Sequence, residues 1–361
     1  MTDESVPGNR TGPAPADTAA ADTAAAAGEP GDERPTADRA GSDPADPQPV
    51  PSGGDGGPPM GKGRDRPMVD KASFQSYYGR PIVKPPAWKQ PDVPLYLFLG
   101  GTAGACASLG AVAGPTGRPA LARATRIVAA GAASASVLAL VHDLGRPLRF
   151  LNMLRVLKPT SPLSVGSWIL APFSGLTAVT AALEVTGRLP TIRRLTGTAA
   201  GVLGPAMCTY TAVLLSDTAT PAWHEARHDL PILFAGSALA SGAGAALATT
   251  PVAEATPARR LGLVGAAADL VVSRRMEHAL GLVSETYRTG RAGRLLKASR
   301  ALTAAGAGLS LLGRRSRVAS AVAGAAYLAA GLCTRFGVYN AGVASTLDPK
   351  YVVIPQRARK G

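Results

Sequence analysis

The stretch PLYLFLGGTAGACASLGAVA, residues 94–113, contains no charged side chain. A helix needs roughly 20 apolar residues to span a bilayer core of about 30 Å. The stretch also contains Gly100, Gly101 and Gly104. Small residues let helix backbones approach closely where lipid provides no hydrophobic drive between helices. We therefore predict a transmembrane helix that packs tightly against its neighbours.

Similar stretches recur along the chain and predict an all-α membrane protein with about eight transmembrane helices. The sixth and seventh are more polar, because Asp269 lies inside the sixth while Lys297 and Arg300 lie near the start of the seventh. Seven helices therefore remain an alternative. A soluble bundle rich in alanine would show polar stripes at helical spacing, and these stretches show none. The predicted spans are 94–113, 120–141, 164–186, 197–216, 230–250, 258–276, 295–313 and 317–337.

The first 65 residues are almost wholly Ala, Asp, Gly, Pro, Thr and Ser, with no aromatic residue. Such a segment cannot bury enough apolar surface to offset its ordering entropy, so we predict a disordered tail. It also lacks the apolar run and the twin-arginine pair of secretory signals. The predicted organisation is a tail at 1–65, a cytoplasmic lead-in segment at 66–93, a transmembrane domain at 94–337 and a cytoplasmic tail at 338–361.

The chain carries a formal net charge of +14, although its first 65 residues hold 12 acidic and only 5 basic side chains. The basic residues beyond them lie in short clusters between apolar stretches, as in membrane proteins, so no nucleic-acid partner is expected. More Lys and Arg residues lie in the segments on the same side of the membrane as the two termini than in the segments on the opposite side. The positive-inside rule thus predicts a multi-pass plasma-membrane protein with both termini in the cytoplasm. Arg314, Arg315 and Arg317 oppose this orientation.

Cysteine and histidine usage limits the redox centres that the chain could hold. Cys106, Cys208 and Cys333 stand alone, so no C-x-x-C pair encodes an iron–sulfur cluster or a structural zinc site. None of the four histidines lies deep in an apolar stretch. A two-haem cytochrome b needs axial ligands there, so no haem is expected.

Polar residues near the helix ends are candidates for proton transfer. Asp143 and Arg146 are spaced to pair across one helical turn, which would either close the helix or contact a substrate or proton path. His142, beside Asp143, belongs to the same loop, while His224 and His228 either relay protons or lie in a solvated loop.

Ionisable groups inside membranes are costly, and two acids lie near or within spans. Glu184 lies close to a span end, so Asp269 is the better candidate for handling protons, and it could pair with Arg274 or Arg335.

Tyr210 lies in the fourth predicted helix. A phenol hydroxyl among apolar helices needs a hydrogen-bond partner. That partner could be a neighbouring helix or the carbonyl of a bound quinone, and both alternatives stay open on this evidence.

Several separated motifs together resemble the NrfD family of actinobacterial type, over roughly residues 70–357. The resemblance rests on motifs that occur in the family's order. They are Ser73-Phe-Gln-Ser-Tyr77-Tyr78-Gly79-Arg80-Pro81, Asp143-Leu-Gly-Arg146-Pro147, Ser164-Val-Gly-Ser167-Trp168, Tyr210-Thr-Ala-Val-Leu-Leu, Pro221-Ala-Trp223-His224, Thr334-Arg335-Phe336 and Asp348-Pro349-Lys350-Tyr351.

The resemblance implies an eight-helix subunit related to the polysulfide reductase membrane subunit, and we expect two four-helix bundles. Such subunits hold no redox metal. They bind quinone, here expected to be menaquinone, and dock against a four-cluster ferredoxin-like iron–sulfur protein that serves a molybdopterin catalytic subunit or, in other complexes, multihaem cytochromes. Tyr210 falls where a tyrosine of the fourth helix serves the quinone site in relatives.

One departure concerns the first helix, which in relatives contributes polar side chains to the quinone site. This helix has neither histidine nor asparagine, so we expect Thr102 and Tyr96 to take over. The leading hypothesis is a quinone-reactive membrane subunit. The alternatives are a purely structural anchor and a secondary transporter, which would need paired broken helices. Pro172 and Pro205 interrupt two spans, but no matching pair occurs in the second half.

Overall fold

A computed structural model describes residues 81–145 and 148–358, and these residues form helices and connections without strands. The predicted disordered tail 1–65, residues 66–80 and Arg146 lie outside the described residues. Eight long helices, α1–α8, are present in the described part of the chain. They are Asp92–Ala113, Pro119–Leu144, Pro162–Thr186, Pro190–Ser216, Leu230–Thr249, Thr256–Ala279, Gly290–Leu312 and Arg317–Leu347.

Local sequence explains where several of these helices begin and end. Proline occupies the first position of α2, α3 and α4, where its missing N–H costs no helical hydrogen bond. Gly145 and Gly187 follow α2 and α3 with φ of 70° and 68°. Glycine adopts this left-handed conformation without steric cost, and it ends both helices. The eight predicted spans therefore correspond one to one with α1–α8.

The eight helices form two four-helix bundles, as predicted. In the first bundle α1 packs on α2 and α4, while α3 packs on the same two helices. In the second bundle α5 packs on α6 and α8, and α7 completes the ring against α6 and α8. The bundles meet mainly through α1 and α4 against α5.

Small residues allow close approach at these contacts. A methyl group added at Gly104 of α1 would lie 2.5 Å from the Gly204 carbonyl oxygen of α4. One added at Gly242 of α5 would lie 2.5 Å from the Ala105 side chain of α1. The predicted tight packing of the first span is therefore confirmed, because neither glycine leaves room for a side chain.

The helices alternate in direction and so define two faces. The amino-terminal face is the one where α1 begins. There Asp92 at the start of α1 contacts His142 at the end of α2. At the opposite face the backbone N–H of Leu121, near the start of α2, donates to Glu254 in the α5–α6 connection. The longer connections gather at the amino-terminal face, including the short helices Leu148–Met153, Pro221–Glu225, Glu285–Arg288 and Lys350–Ala358 and the 3₁₀ turn Gly281–Ser284.

Six of the eight long helices are long and apolar enough to cross a membrane, and the chain is a membrane protein. The exceptions among the described helices are α6 and α7, the same two spans whose sequences are the most polar. Asp269 of α6 and Arg300 of α7 lie near the middle of their helices, and the other charged groups lie nearer the ends. Pro172 and Pro205 do not break α3 or α4, both of which are continuous helices.

The last helix is longer than predicted. The transmembrane domain was expected to end at 337, but α8 continues to Leu347. Residues 338–347 include the polar side chains of Asn340 and Thr346, which reduce local hydropathy. The segment stays helical because much of it is buried, with Gly342 packed directly against the Trp223 ring. The helix ends just before Asp348-Pro349, as expected from the restriction that proline imposes on the residue before it.

Candidate functional site

Tyr96 of α1 and Tyr210 of α4 meet inside the first bundle. Their hydroxyl oxygens lie 2.7 Å apart, and the two residues are only 4% and 8% exposed. Tyr96 lies four residues from the start of α1 and Tyr210 six residues from the end of α4. At 1.5 Å per residue, the pair lies about 6–9 Å inside the amino-terminal face.

The other two helices of the bundle complete this site. The Ser136 hydroxyl of α2 donates to the Tyr96 carbonyl oxygen at 3.1 Å. Gly166 of α3 lies under the Tyr210 ring, and a methyl group there would approach ring carbons to 2.7 Å. All four helices of the first bundle therefore hold the tyrosine pair in place.

The pair contains one more donor than it uses. Two phenols carry two O–H groups, and either one can donate in the bond between them. Among the described residues neither hydroxyl has another hydrogen-bond partner. One O–H therefore remains available to an acceptor such as a carbonyl oxygen.

Thr102 does not join the tyrosines. It lies six residues beyond Tyr96 on α1, about 9 Å deeper along the helix axis. Its hydroxyl donates at 2.9 Å to the Phe98 carbonyl oxygen of its own helix. The sequence grouped Thr102 with Tyr96, and the structure places the two at different levels of α1.

The predicted proton-transfer residues between α2 and α3 lie at the amino-terminal face. His142 Nδ1 is 2.7 Å from an Asp92 carboxylate oxygen, with side chains 76% and 14% exposed. Asp143 accepts a hydrogen bond of 2.8 Å from the Lys89 backbone N–H. The proposed partner of Asp143, Arg146, lies outside the described residues, so their expected pairing stays a prediction.

His224 lies at the same face, where its Nδ1 is 3.2 Å from the Ser216 carbonyl oxygen at the end of α4. The neighbouring Trp223 is fully buried and stacks on Trp88 with ring centroids 5.6 Å apart. Its indole N–H donates to the Val338 carbonyl oxygen at 2.8 Å. Trp223 therefore connects α8 to the lead-in segment.

Asp269 lies in the second bundle, about 15 Å along α6 from its amino-terminal-face end. Its Oδ2 accepts a hydrogen bond of 3.3 Å from the Thr303 hydroxyl, and its Oδ1 has no partner in the described part of the chain. A cavity with room for about one water molecule adjoins it, lined also by Ser273, Ser299 and Thr334. Asp269 is thus separate from the tyrosine pair.

Arg335 of α8 is a buried functional candidate that apolar patterning alone does not reveal. It is 1% exposed, and its guanidinium group lies 3.8 Å from the centre of the Phe234 ring. It donates to the Phe234 carbonyl oxygen at 2.9 Å and to the Leu97 carbonyl oxygen at 3.4 Å. In the sequence, an arginine inside an apolar span indicates such a residue. Because those carbonyls belong to α5 and α1, Arg335 lies where the two bundles meet.

The sequence model of one protein family, described as "Polysulphide reductase, NrfD", matches residues 85–260. The match begins before α1 and ends in the first turn of α6, so it covers the whole tyrosine site. A comparison with curated proteins finds no match for the chain.

Proposed function

Because residues 85–260 place this chain in the NrfD family of membrane subunits of quinone-linked oxidoreductase complexes, we propose that it exchanges electrons between the quinone pool and an iron–sulfur partner. The partner is a four-cluster ferredoxin-like subunit, which serves a molybdopterin catalytic subunit. The quinone is menaquinone. In this proposal the chain lies in the plasma membrane with both termini in the cytoplasm.

The observation that supports this proposal most directly is the spare O–H of the Tyr96–Tyr210 pair. A bound quinone supplies two-electron, two-proton chemistry. A quinone carbonyl oxygen is the kind of acceptor that the spare hydroxyl lacks. The buried position of the two tyrosines excludes water from a hydrogen bond between that hydroxyl and the quinone. Tyr210 would thus bind the quinone, with Tyr96 fixing the orientation of its hydroxyl. Thr102 provides no comparable donor, since its hydroxyl already donates a hydrogen bond within α1.

Residues near the amino-terminal face could deliver protons to this site. Asp92 and Tyr96 are four residues apart on α1, so they share a helix face. His142 contacts Asp92 and is largely exposed. A proton taken up at His142 can therefore pass to the Asp92 carboxylate and from there toward the Tyr96 hydroxyl. Asp143 and His224 lie at the same face, whereas Asp269 would serve the second bundle.

Purification of the chain from membranes in mild detergent tests the proposal. We expect it to retain an iron–sulfur subunit and extractable menaquinone, and Tyr210→Phe to lower the quinone content on the order of tenfold through loss of one buried hydrogen bond. Tyr327→Phe is the matched control, because it removes a buried phenol hydroxyl from the second bundle.

The alternatives give different results in the same experiment. A partner without quinone would make the chain a structural anchor. A chain with neither partner nor quinone would overturn the oxidoreductase assignment and favour a secondary transporter. Unbroken α3 and α4 provide no support for a transporter.

A further inference from the structure

A cavity of about 420 Å³ opens at the opposite face of the second bundle, between the start of α6 and the end of α7. It lies far from the tyrosine pair and belongs to no part of the proposed quinone chemistry. Its lining combines charged and apolar side chains, chiefly Arg259, Arg260, Arg314, Leu263 and Leu311.

The charges in this cavity are unbalanced. Three arginines and no acidic residue line it. The acid nearest in sequence, Glu254, is engaged elsewhere, because its carboxylate accepts a hydrogen bond of 3.0 Å from the Leu121 backbone N–H. Like charges held together in a partly buried site repel one another unless an anion lies between them. The cavity therefore lacks a counter-ion of its own.

Arg259 carries the strongest sign of a missing partner. It is 7% exposed, and one of its terminal nitrogens donates to the carbonyl oxygens of Val252 and Gly313 at 3.3 and 3.4 Å. Its buried Nε has no hydrogen-bond partner among the described residues. A buried guanidinium N–H is costly to leave unpaired, and a phosphate oxygen is a matching acceptor.

The α6 helix adds to this attraction. Thr256 is the first residue of α6 and also lines the cavity. The positive end of the helix dipole therefore lies beside the three guanidinium groups, an arrangement that favours bound phosphate.

The remaining wall favours a lipid over a free anion. Leu263 and Leu311 line the cavity, and the neighbouring Leu312 and Val264 are 77% and 61% exposed on the outer surface of the helices. A free phosphate makes no use of apolar walls, whereas acyl chains do. We propose that this cavity binds the phosphate group of an anionic phospholipid, with its acyl chains along Leu263 and Leu311.

The first bundle offers a natural comparison at the same face. A cavity of about 640 Å³ there is lined by Arg126, Arg193 and Arg194, but also by Glu184. The Glu184 carboxylate accepts hydrogen bonds from Arg126 at 2.8 Å and Arg193 at 3.1 Å. That cavity contains its own counter-ion, so its excess of positive charge is smaller than in the second bundle, although Arg126 and Arg193 each also leave a buried Nε without a partner among the described residues.

The test is native mass spectrometry of the purified full-length chain titrated with phosphatidylglycerol, phosphatidylcholine or inorganic phosphate. The variant is Arg260→Gln with Arg314→Gln, which spares the buried Arg259 and its structural hydrogen bonds. The control is Arg188→Gln with Arg315→Gln, which removes two exposed positive charges from the same face outside the cavity.

We expect phosphatidylglycerol to bind in preference to phosphatidylcholine, with affinity on the order of tenfold lower in the cavity variant and unchanged in the control. Equal losses of phosphatidylglycerol affinity in the cavity variant and the control would mean that general surface charge causes the binding. That result would overturn the proposed lipid site. Binding of inorganic phosphate alone would overturn the assignment to lipid. None of these results depends on quinone, so the site and the proposed function succeed or fail separately.

Discussion

The guanidinium group of Arg335 in the second bundle donates to the carbonyl oxygen of Leu97, the residue that follows Tyr96 in the first bundle. Arg335 and Asp269 are both buried, and no ion pair within 4.0 Å joins them among the described residues. The contact between the bundles thus includes a buried cation, and a buried carboxylate lies within the second bundle.

We predict that Arg335→Met and Asp269→Asn each lower the unfolding temperature in detergent. Each substitution removes one buried charge and leaves the other buried charge without that opposite charge in its surroundings. The double variant should lose less stability than the two single losses together. A coupling free energy of about 1 kcal/mol or more is expected for two groups that interact in a protein interior. Thermal unfolding of the four proteins measures it, and strictly additive losses would show that the two charges are independent.

The sequence predicted the helices well because apolar length is a local property that a single segment carries. Apolar length alone could not predict that Tyr96 and Tyr210, separated by 114 positions, meet across α1 and α4. The expectation that both serve one site came from the resemblance to the NrfD family. Arg335 also lowers the hydropathy of its own segment, although it is buried. The carbonyl oxygens that accept its hydrogen bonds belong to other helices, so the segment's sequence does not reveal them. For the same reason the prediction ended the last helix at 337, before the polar residues that neighbouring segments bury.

Gly166→Ala is predicted to disturb the tyrosine pair. Its methyl group would come within 2.7 Å of the Tyr210 ring, so the ring or α3 must shift, at a cost of about 1–3 kcal/mol in unfolding free energy. Gly175→Ala on the same helix is the matched control, because nothing lies within 4 Å of the added methyl group. Thermal stability and quinone content should both fall in the first variant and stay unchanged or rise slightly in the second.

Asp92→Asn is predicted to slow quinone turnover of the assembled complex on the order of tenfold or more, because it removes the carboxylate that contacts His142 one helical turn before Tyr96. His142→Gln should have a smaller effect, since water can replace an exposed side chain. Steady-state rates in H₂O and D₂O distinguish proton transfer from loss of structure.

Asp217→Asn serves as the control, because Asp217 is an exposed acid at the same face. Equal slowing by Asp92→Asn and Asp217→Asn, or no slowing by either, would remove Asp92 from the proton route.

The short helix Lys350–Ala358 is held to the amino-terminal face by exposed charges. Lys350 Nζ lies 3.0 Å from the Glu285 carboxylate, which also accepts a hydrogen bond of 3.2 Å from the Tyr351 hydroxyl. The hydrogen bonds from Lys350 and Tyr351 lower the pKa of Glu285 below its ordinary value of 4.5. The bond to Glu285 raises the pKa of Lys350 above its ordinary value of 10.5.

These directions predict how attachment of the helix depends on pH. The Glu285 contribution is fully present above its ordinary pKa and is lost as pH falls through the lowered value. The Lys350 contribution is fully present below its ordinary pKa and is lost as pH rises through the raised value. Attachment should therefore be constant between about pH 5 and 10 and weaken outside that window.

Hydrogen exchange of residues 350–358 measures this attachment. Exchange in Glu285→Gln should be faster than in the unmodified chain at neutral pH, and the difference should shrink in high salt because exposed pairs are screened. Tyr351→Phe removes one hydrogen bond and leaves the ion pair, so its effect should be smaller and less sensitive to salt. Unchanged exchange in Glu285→Gln would mean that apolar contacts of Tyr351 and Val352, both largely buried, hold the helix in place without the charges.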